Sequence, residues 1–175
     1  MDRIDNQVLG IIKEAIKLEI NGRKFFQHAQ EVSQNALGKK MFQKLANDES
    51  RHLKEFGDLF SEVLKSEDWK KFVSQEEQGH SQLIEELKLR IKNHEREKGT
   101  SEIEALRIGM ELERKAIDFF EKSARESQAS KAGEICRKIS EEEKFHYDLL
   151  QAQYDSVTNS GFWIDVAEFQ MDGKY

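Results

Sequence analysis

The chain has 175 residues, a net charge of −6, 35% charged residues of both signs, and no proline. Its Lys and Arg residues are scattered, which excludes the basic surface of a nucleic-acid-binding protein. No run approaches the about 20 apolar residues of a membrane span, and the N-terminus lacks the features of a signal peptide. The single cysteine, Cys136, excludes an internal disulfide, a four-cysteine zinc site and an iron–sulfur cluster held by this chain alone. We therefore expect a cytoplasmic protein without membrane or nucleic-acid partners.

Hydrophobic periodicity predicts an all-α fold, because few stretches alternate with the period of two that indicates strands. The absence of proline and the many Glu, Lys, Leu and Gln residues favour helices as well. Four amphipathic helices are predicted, over residues 4–32, 36–65, 101–126 and 130–155. Short turns at 33–38 and 127–130 make each half an antiparallel helix pair, and Ser101 with Glu104 forms a capping-box pattern at the start of the third helix.

Residues 66–99 join the two helix pairs. This segment is highly charged, and its apolar residues Leu83, Ile84, Leu87 and Ile91 predict a helix within it. About 34 residues are enough to return the chain along the length of a bundle. We therefore predict an antiparallel four-helix bundle over 1–155, with a long crossover at 66–99 between helices 2 and 3. An aromatic tail over 156–175 follows it.

Glu-x-x-His occurs three times, at Glu49/His52, Glu77/His80 and Glu143/His146. In a chain with 24 Glu and five His residues the motif is expected about once by chance. A shift of 94 residues carries the first motif onto the third, and it also carries Glu19 onto Glu113. The chain is thus an internal repeat of 1–65 and 100–155, in which each half has a Glu and then, 30 residues later, Glu-x-x-His. The motif at Glu77/His80 lies outside this pattern, and we interpret it as accidental.

The repeated residues interrupt helix faces that are otherwise apolar. These faces consist of Ile12, Ala15, Glu19, Gly22 and Phe26; Phe42, Leu45, Glu49, His52, Phe56, Leu59 and Val63; Leu106, Met110, Glu113, Ile117, Phe120 and Ala124; and Cys136, Ile139, Glu143, His146, Leu150 and Gln153. Any single one of the repeated residues is most simply a solvated Glu or a satisfied core His. Four carboxylates in one core, however, cost several kcal/mol each unless they are paired, protonated or bound to cations. No Lys or Arg lies on these faces, so a metal site is the direct explanation.

Two helices that give one Glu each, and two that give Glu-x-x-His each, form the ligand pattern of a dinuclear carboxylate site in a four-helix bundle. Residues i and i+3 leave one helix face and reach a single ion. In this scheme Glu49 and Glu143 bridge two metals, His52 and His146 each bind one, and Glu19 and Glu113 are terminal ligands. Oxygen-rich ligation suits iron or manganese better than zinc, which remains a possible substitute.

Two further acids, Asp48 and Glu142, directly precede the bridging glutamates. Each is a candidate to accept a hydrogen bond from the His of the opposite motif, and each is equally well explained as a surface acid. Gly22 and Ala116, three residues after the terminal glutamates, are small. They either leave room for a small ligand such as O₂ or peroxide, or they allow close helix packing.

On these residues the chain resembles the ferritin-like superfamily, and within it the di-iron domain of rubrerythrins, over about residues 1–155. The resemblance implies a non-haem protein with two iron ions that reduces hydrogen peroxide or O₂, and hence a role in oxidative stress. It also implies a set of metal ligands, which are Glu19, Glu49, His52, Glu113, Glu143 and His146. One alternative is a ferroxidase that feeds an iron store, and a second is a helical interaction protein without catalysis.

The sequence departs from the rubrerythrin pattern in three respects. Ala116 stands where many rubrerythrins have an additional Glu, which puts their redox-linked change of ligand in doubt. Phe26 and Phe120 replace tyrosines that are often found near the site. A rubredoxin-like iron site is absent, so we expect electrons from a separate donor protein such as a rubredoxin. We also expect a homodimer, and a tail whose aromatic residues Phe162, Trp163 and Phe169 cover a bundle end or a dimer contact.

Overall fold

The computed structural model describes residues 3–65, 68–79, 81–94, 99–127, 130–167 and 169. Its helices are α1 (Arg3–Val32), α2 (Ala36–Leu64), α3 (Trp69–Gln78), α4 (Gln82–Asn93), α5 (Thr100–Glu126) and α6 (Lys131–Ser160). Over the described residues all regular secondary structure is helical, which confirms the all-α prediction. Helix α6 continues five residues beyond the predicted end of the fourth helix at residue 155.

The four long helices form the predicted antiparallel bundle. α1 packs on α2 and α5 packs on α6, and the two pairs meet through α1 with α5 and α2 with α6. Opposite directions of α2 and α6 follow from two contacts: Asp48 lies beside His146, whereas Glu62, further along α2, pairs with Lys131 at the start of α6. The ferritin-like arrangement is confirmed.

Helix starts are set by local capping at two of the predicted turns. The Asn35 side chain accepts hydrogen bonds from the backbone N–H groups of Leu37 and Gly38, at 2.9 and 3.3 Å, and so begins α2. Ser130 accepts from the Gly133 N–H at 3.1 Å and begins α6. These side chains satisfy backbone donors that have no partner within the helix.

The predicted capping box at the start of α5 is wrong. The helix begins at Thr100, after Gly99 with φ of +86°, so Ser101 lies within the helix instead of capping it. The Glu104 carboxylate accepts hydrogen bonds from the Arg90 guanidinium, at 3.0 Å from Nε and 2.7 Å from Nη2. Glu104 thus pairs with Arg90 of the crossover and does not form the capping box that the sequence predicts.

The described residues of the crossover form two short helices, rather than one. α4 confirms the helix predicted there, and its residues Ile84, Leu87 and Ile91 are buried in the bundle core. Leu83 is partly buried, and Leu89 is 57% exposed. α3 packs against α1 and α2, and Val73 is its buried residue. Among the described residues, none of the helices combines the length and apolar character that a bilayer-spanning segment requires.

The apolar core is divided into two clusters. One includes Phe26, Phe42, Leu106 and Leu150, and the other includes Ile16, Phe56, Phe120 and Ile139. Along α2, α5 and α6 the two clusters are separated by about two to three helical turns, and the buried acids and histidines that these helices contribute to the repeat lie in that interval.

After Gly161 the chain turns back along α2 and α6. The Trp163 ring packs against Phe42, with ring centroids 6.4 Å apart, and Val166 is buried. The Gln153 side chain holds the segment by donating to the Ile164 carbonyl at 2.6 Å and accepting from its N–H at 3.0 Å. Phe162, in contrast, is 75% exposed.

Candidate metal centre

The structure brings all six repeated residues together in the middle of the bundle. α1 contributes Glu19, α2 contributes Glu49 and His52, α5 contributes Glu113, and α6 contributes Glu143 and His146. None of the six is more than 4% exposed. Each lies on the face of its helix that packs against the other three, which is why the apolar stripes of the sequence locate them.

These residues form two overlapping groups with the geometry of metal sites. One group is Glu19, Glu49, His52 and Glu143, and the other is Glu49, Glu113, Glu143 and His146. Within each group the ligand atoms lie within 4.8 Å of one another. Glu49 and Glu143 belong to both groups, as their predicted bridging role requires, while each His belongs to one. The geometry is that of a di-metal carboxylate site.

Both histidines direct Nδ1 toward the carboxylates. His52 Nδ1 lies 3.1 Å from Glu143 Oε1 and 3.3 Å from Glu19 Oε2. His146 Nδ1 lies 2.8 Å from Glu143 Oε2 and 3.5 Å from Glu113 Oε1. An imidazole nitrogen that faces several carboxylate oxygens is arranged to share a cation with them.

The outward nitrogens of the histidines contact the two acids that the sequence singled out. His52 Nε2 lies 3.1 Å from Glu142 Oε2, and His146 Nε2 lies 3.1 Å from Asp48 Oδ2. Each His thus contacts the acid of the opposite motif, which favours the first of the two interpretations that the sequence left open for these acids. A carboxylate at Nε2 favours the hydrogen on that nitrogen. When the imidazole is neutral, its Nδ1 lone pair is therefore directed into the cluster formed by the six Glu and His residues.

Several inward-facing atoms have no hydrogen-bond partner within the described part of the chain. They are Glu19 Oε1 and Oε2, Glu49 Oε1, His52 Nδ1, Glu113 Oε1 and Glu143 Oε1. A buried polar atom without a partner costs about 1–3 kcal/mol, so a cluster of them requires another explanation. Divalent cations coordinated by these atoms would provide it, and the four carboxylates would balance the charge of two such ions.

Protonation compensates the charge of the cluster when no cation is bound. Burial raises the pKa of Glu19, and burial together with the Glu143 charge raises the pKa of Glu49 and Glu113 well above the usual range. Burial opposes protonation of His52, but the carboxylates of Glu142, Glu143 and Glu19 raise its pKa to about 12. The cluster therefore holds protons at neutral pH that a metal ion must displace.

Contacts with cationic groups keep Glu142 and Asp48, the two outer acids, ionised. The hydrogen bond to His52 and the Arg51 guanidinium outweigh partial burial and lower the pKa of Glu142 to about 2. Burial opposes ionisation of Asp48, but His146 and Lys44 hold its pKa well below the usual range. Both acids are therefore acceptors for the outward imidazole N–H groups.

A small cavity reaches the cluster between α1 and α5. It has a volume of about 50 Å³, and its lining includes Glu19, Glu49, Glu113, Phe26 and Ala116. Gly22 also borders it, and a Cβ atom at this position would lie 2.9 Å from Glu49 Oε2. Gly22 thus makes room for the Glu49 carboxylate itself, whereas Ala116 lines the space beside the cluster.

Sequence reasoning missed Arg51, which contacts both outer acids. It hydrogen-bonds Glu142, and its Nη2 lies 3.6 Å from Asp48 Oδ1. Because Arg51 follows Asp48 by three residues on the same helix, the sequence could have predicted a contact between these two. The contact of Arg51 with Glu142, however, depends on how α2 and α6 are aligned. Glu77, interpreted as accidental, pairs with Arg23 away from the cluster, and His80 lies outside the described residues.

Comparison with known proteins supports the same assignment. A sequence model of the Rubrerythrin family matches residues 10–154, a stretch that includes all six residues of the cluster. Comparisons with curated proteins and with solved structures find no match. Because the family match covers most of the 175 residues, the chain belongs to the Rubrerythrin family.

Proposed function

We propose that the protein is a non-haem di-iron oxidoreductase that reduces hydrogen peroxide or O₂ with electrons from a separate donor protein. The observation that carries the proposal is the pair of ligand groups that share Glu49 and Glu143, several of whose inward atoms lack a hydrogen-bond partner among the described residues. The oxygen-rich donor set with one imidazole per ion favours iron, with manganese as the second choice and zinc as a substitute.

Bound by the two ligand groups, a pair of ferrous ions would supply the two electrons that, with two protons, reduce one hydrogen peroxide to two molecules of water. The protein contributes the positions of the ligands. Glu49 and Glu143, which belong to both ligand groups, would hold both ions, and the outer acids Glu142 and Asp48 orient His52 and His146. The clusters of apolar side chains on both sides exclude bulk water, which strengthens the electrostatic interactions within the site.

The size of the cavity beside the carboxylates is consistent with a small molecule as the oxidant. Its volume of about 50 Å³ is suited to O₂ or hydrogen peroxide and is far below the 300–1,000 Å³, roughly, of pockets for larger organic ligands. Its apolar lining includes Ala116 and Phe26. An oxidant of this size would lie directly against Glu19, Glu49 and Glu113.

The source of electrons is also a proposal. The chain has a single cysteine, so these 175 residues do not include a rubredoxin-type iron site with its thiolate ligands. A separate rubredoxin-type protein would return the oxidised centre to the ferrous state. We also expect a homodimer, which sedimentation of the purified protein would test.

A ferroxidase that feeds an iron store would use the same metal centre. Storage in the manner of ferritin needs a large hollow shell, whose subunits usually carry a fifth C-terminal helix. Residues 162–165 of this chain are instead non-helical and lie along α2 and α6. The oxidoreductase is therefore the better supported function. A purely structural role would leave the unpartnered buried carboxylates unexplained.

The test is to load the metal-free protein with Fe(II) and to add either hydrogen peroxide or air, with and without a reduced rubredoxin-type donor. Absorbance of the ferric centre should appear with oxidant and disappear with donor over many cycles. Accumulation of hundreds of iron atoms in a particle of ferritin size would establish storage and contradict the proposal.

A further inference from the structure

The outer contacts of the two histidines follow the internal repeat. The shift of 94 residues relates Asp48 to Glu142 and Lys44 to Lys138. Lys44 Nζ lies 2.5 Å from Asp48 Oδ2, and Lys138 Nζ lies 4.0 Å from Glu142 Oε1. Each half of the bundle thus has an outer acid with a Lys four residues before it, but the second Lys is considerably further from its acid.

The repeat breaks at Arg51, because the equivalent residue in the second half is Phe145, whose side chain has no hydrogen-bond donor. Arg51 crosses from α2 to α6 and contacts Glu142 through both terminal nitrogens, with Nη1 at 3.3 Å from Oε1 and Nη2 against Oε2. Its Nη2 also lies 3.5 Å from His52 Nε2. A guanidinium therefore lies beside His52, and the equivalent position beside His146 is held by Phe145 instead.

We propose that Arg51 is a positioning residue that fixes Glu142, and through it His52, so that the two metal positions of the centre are not equivalent. This inference rests on the proposed metal centre. Glu142 is longer than Asp48 by one methylene and has one more rotatable bond, so its carboxylate needs more restraint to face an imidazole N–H. The planar guanidinium supplies that restraint by fixing both carboxylate oxygens, which a Lys ammonium cannot do.

The restraint on Glu142 matters because this side chain is open to solvent. Arg51, Glu142 and Asp48 line an open groove of about 580 Å³ on the α2–α6 face, and the Glu142 side chain is 28% exposed. Without the guanidinium, water in the groove competes for Glu142 and reaches His52 Nε2. Arg51 also approaches Asp48, but at 3.6 Å and on Oδ1. His146 keeps its own acceptor, because Lys44 continues to hold Oδ2, the Asp48 oxygen that the imidazole contacts.

The test uses cobalt(II) in the metal-free protein, and compares Arg51→Met and Arg51→Lys with the control Arg125→Met. Arg125 is 67% exposed, and the ion pair it makes is with Glu121, one turn earlier on α5. In cobalt-loaded wild-type protein, proton NMR should show two shifted, solvent-exchangeable imidazole N–H signals, one for each His. Asp48→Asn, which alters the acceptor of His146, identifies the signal of that residue.

In Arg51→Met we expect the His52 signal to broaden through faster exchange with water while the His146 signal is unchanged. The affinity for one of two cobalt ions should fall about tenfold, as is typical for loss of an outer contact to a ligand. In Arg51→Lys the broadening of the His52 signal and the loss of cobalt affinity should both be smaller than in Arg51→Met, but still present. Arg125→Met should resemble the wild type. Unchanged signals and affinities in Arg51→Met would overturn the inference. Absence of cobalt binding in the wild type would instead overturn the metal centre itself.

Discussion

Gly22 of α1 and Glu49 of α2 face each other so closely that a Cβ atom at residue 22 would lie 2.9 Å from Glu49 Oε2. The atom it would meet is the end of a flexible side chain rather than backbone. An added methyl group is therefore accommodated by movement of the carboxylate, at little cost to the fold. The consequence should appear in metal binding, because Glu49 belongs to both ligand groups.

Gly22→Ala should accordingly weaken the binding of both metal ions about tenfold or more, since a shifted ligand loses its geometry. The free energy of unfolding of the metal-free protein should change little, because alanine favours helix and offsets the local crowding. Gly10→Ala is the matched control, since Gly10 is also on α1 but has nothing within 4 Å of an added Cβ. That variant should gain up to about 1 kcal/mol of stability and bind metal normally. Equal metal binding in Gly22→Ala and Gly10→Ala would contradict the claim that Gly22 makes room for the Glu49 carboxylate as a ligand.

Glu102 should be important for stability and not for the site. Its buried carboxylate accepts hydrogen bonds from Ser33 Oγ at 2.7 Å and from the N–H groups of Gln34 and Asn35, at 2.7 and 2.9 Å. Glu102→Ala leaves these donors without their acceptor and should lower the free energy of unfolding by about 1–3 kcal/mol. Chemical denaturation measures this change, and replacement of the exposed Glu14 by Ala is the control. A change within experimental error of that control would show that water replaces the carboxylate.

Much of this structure could be predicted because the repeat and the helical periodicity are local properties of the sequence. They located Glu19, Glu49 and Glu143 on apolar faces, and four such faces can be buried together only in a bundle. Contacts between helices were harder to predict. Glu102 and Arg51 resemble ordinary surface residues in the sequence. The partners of Glu102 lie in the turn between α1 and α2, and Glu142, the partner of Arg51, lies on α6, so both contacts are set by tertiary register. Glu104 shows the same limit, since its pairing with Arg90 overrode a capping pattern.

Metal binding should release protons and strengthen as pH rises. In the metal-free protein the pKa values of Glu49 and Glu113 are raised by burial, and that of His52 is raised to about 12 by its carboxylate neighbours. These groups must lose their protons to become ligands. Addition of Mn(II) to a weakly buffered sample with a pH indicator should therefore acidify it. Binding without proton release, and with the same affinity at pH 6 and pH 8, would show that the cluster is already deprotonated.

The free energy of unfolding of the metal-free protein should fall as pH rises, because the same groups lose their protons. A group whose pKa is raised on folding stabilises the fold below its unfolded pKa, and this contribution is lost as pH rises through the folded value. For His52 that window extends from its ordinary pKa of 6.5 to about 12. Thermal unfolding should therefore show the metal-free protein losing stability between about pH 7 and 9, while the metal-loaded protein does not. A parallel pH dependence of the two forms would contradict the assignment.

The bridging position can be tested against the accidental motif. Glu49→Ala removes a carboxylate shared by both ligand groups and should abolish binding of both ions. Glu77→Ala also removes a Glu that precedes a His by three residues, but Glu77 pairs with Arg23 away from the cluster. It should leave metal binding unchanged and cost at most about 1 kcal/mol of stability. Loss of metal in the Glu77 variant would mean that the wrong motif was assigned to the centre.

The most direct test of the metal centre is elemental analysis of wild-type protein purified with iron supplied throughout. The shared carboxylates predict two metal ions per chain, with iron predominant, and a crystal structure of that protein should show them about 3.5–4 Å apart. The same analysis of Glu49→Ala should give a value close to zero. A wild-type stoichiometry near zero would contradict the account, because the buried carboxylates would then be structural acids rather than ligands.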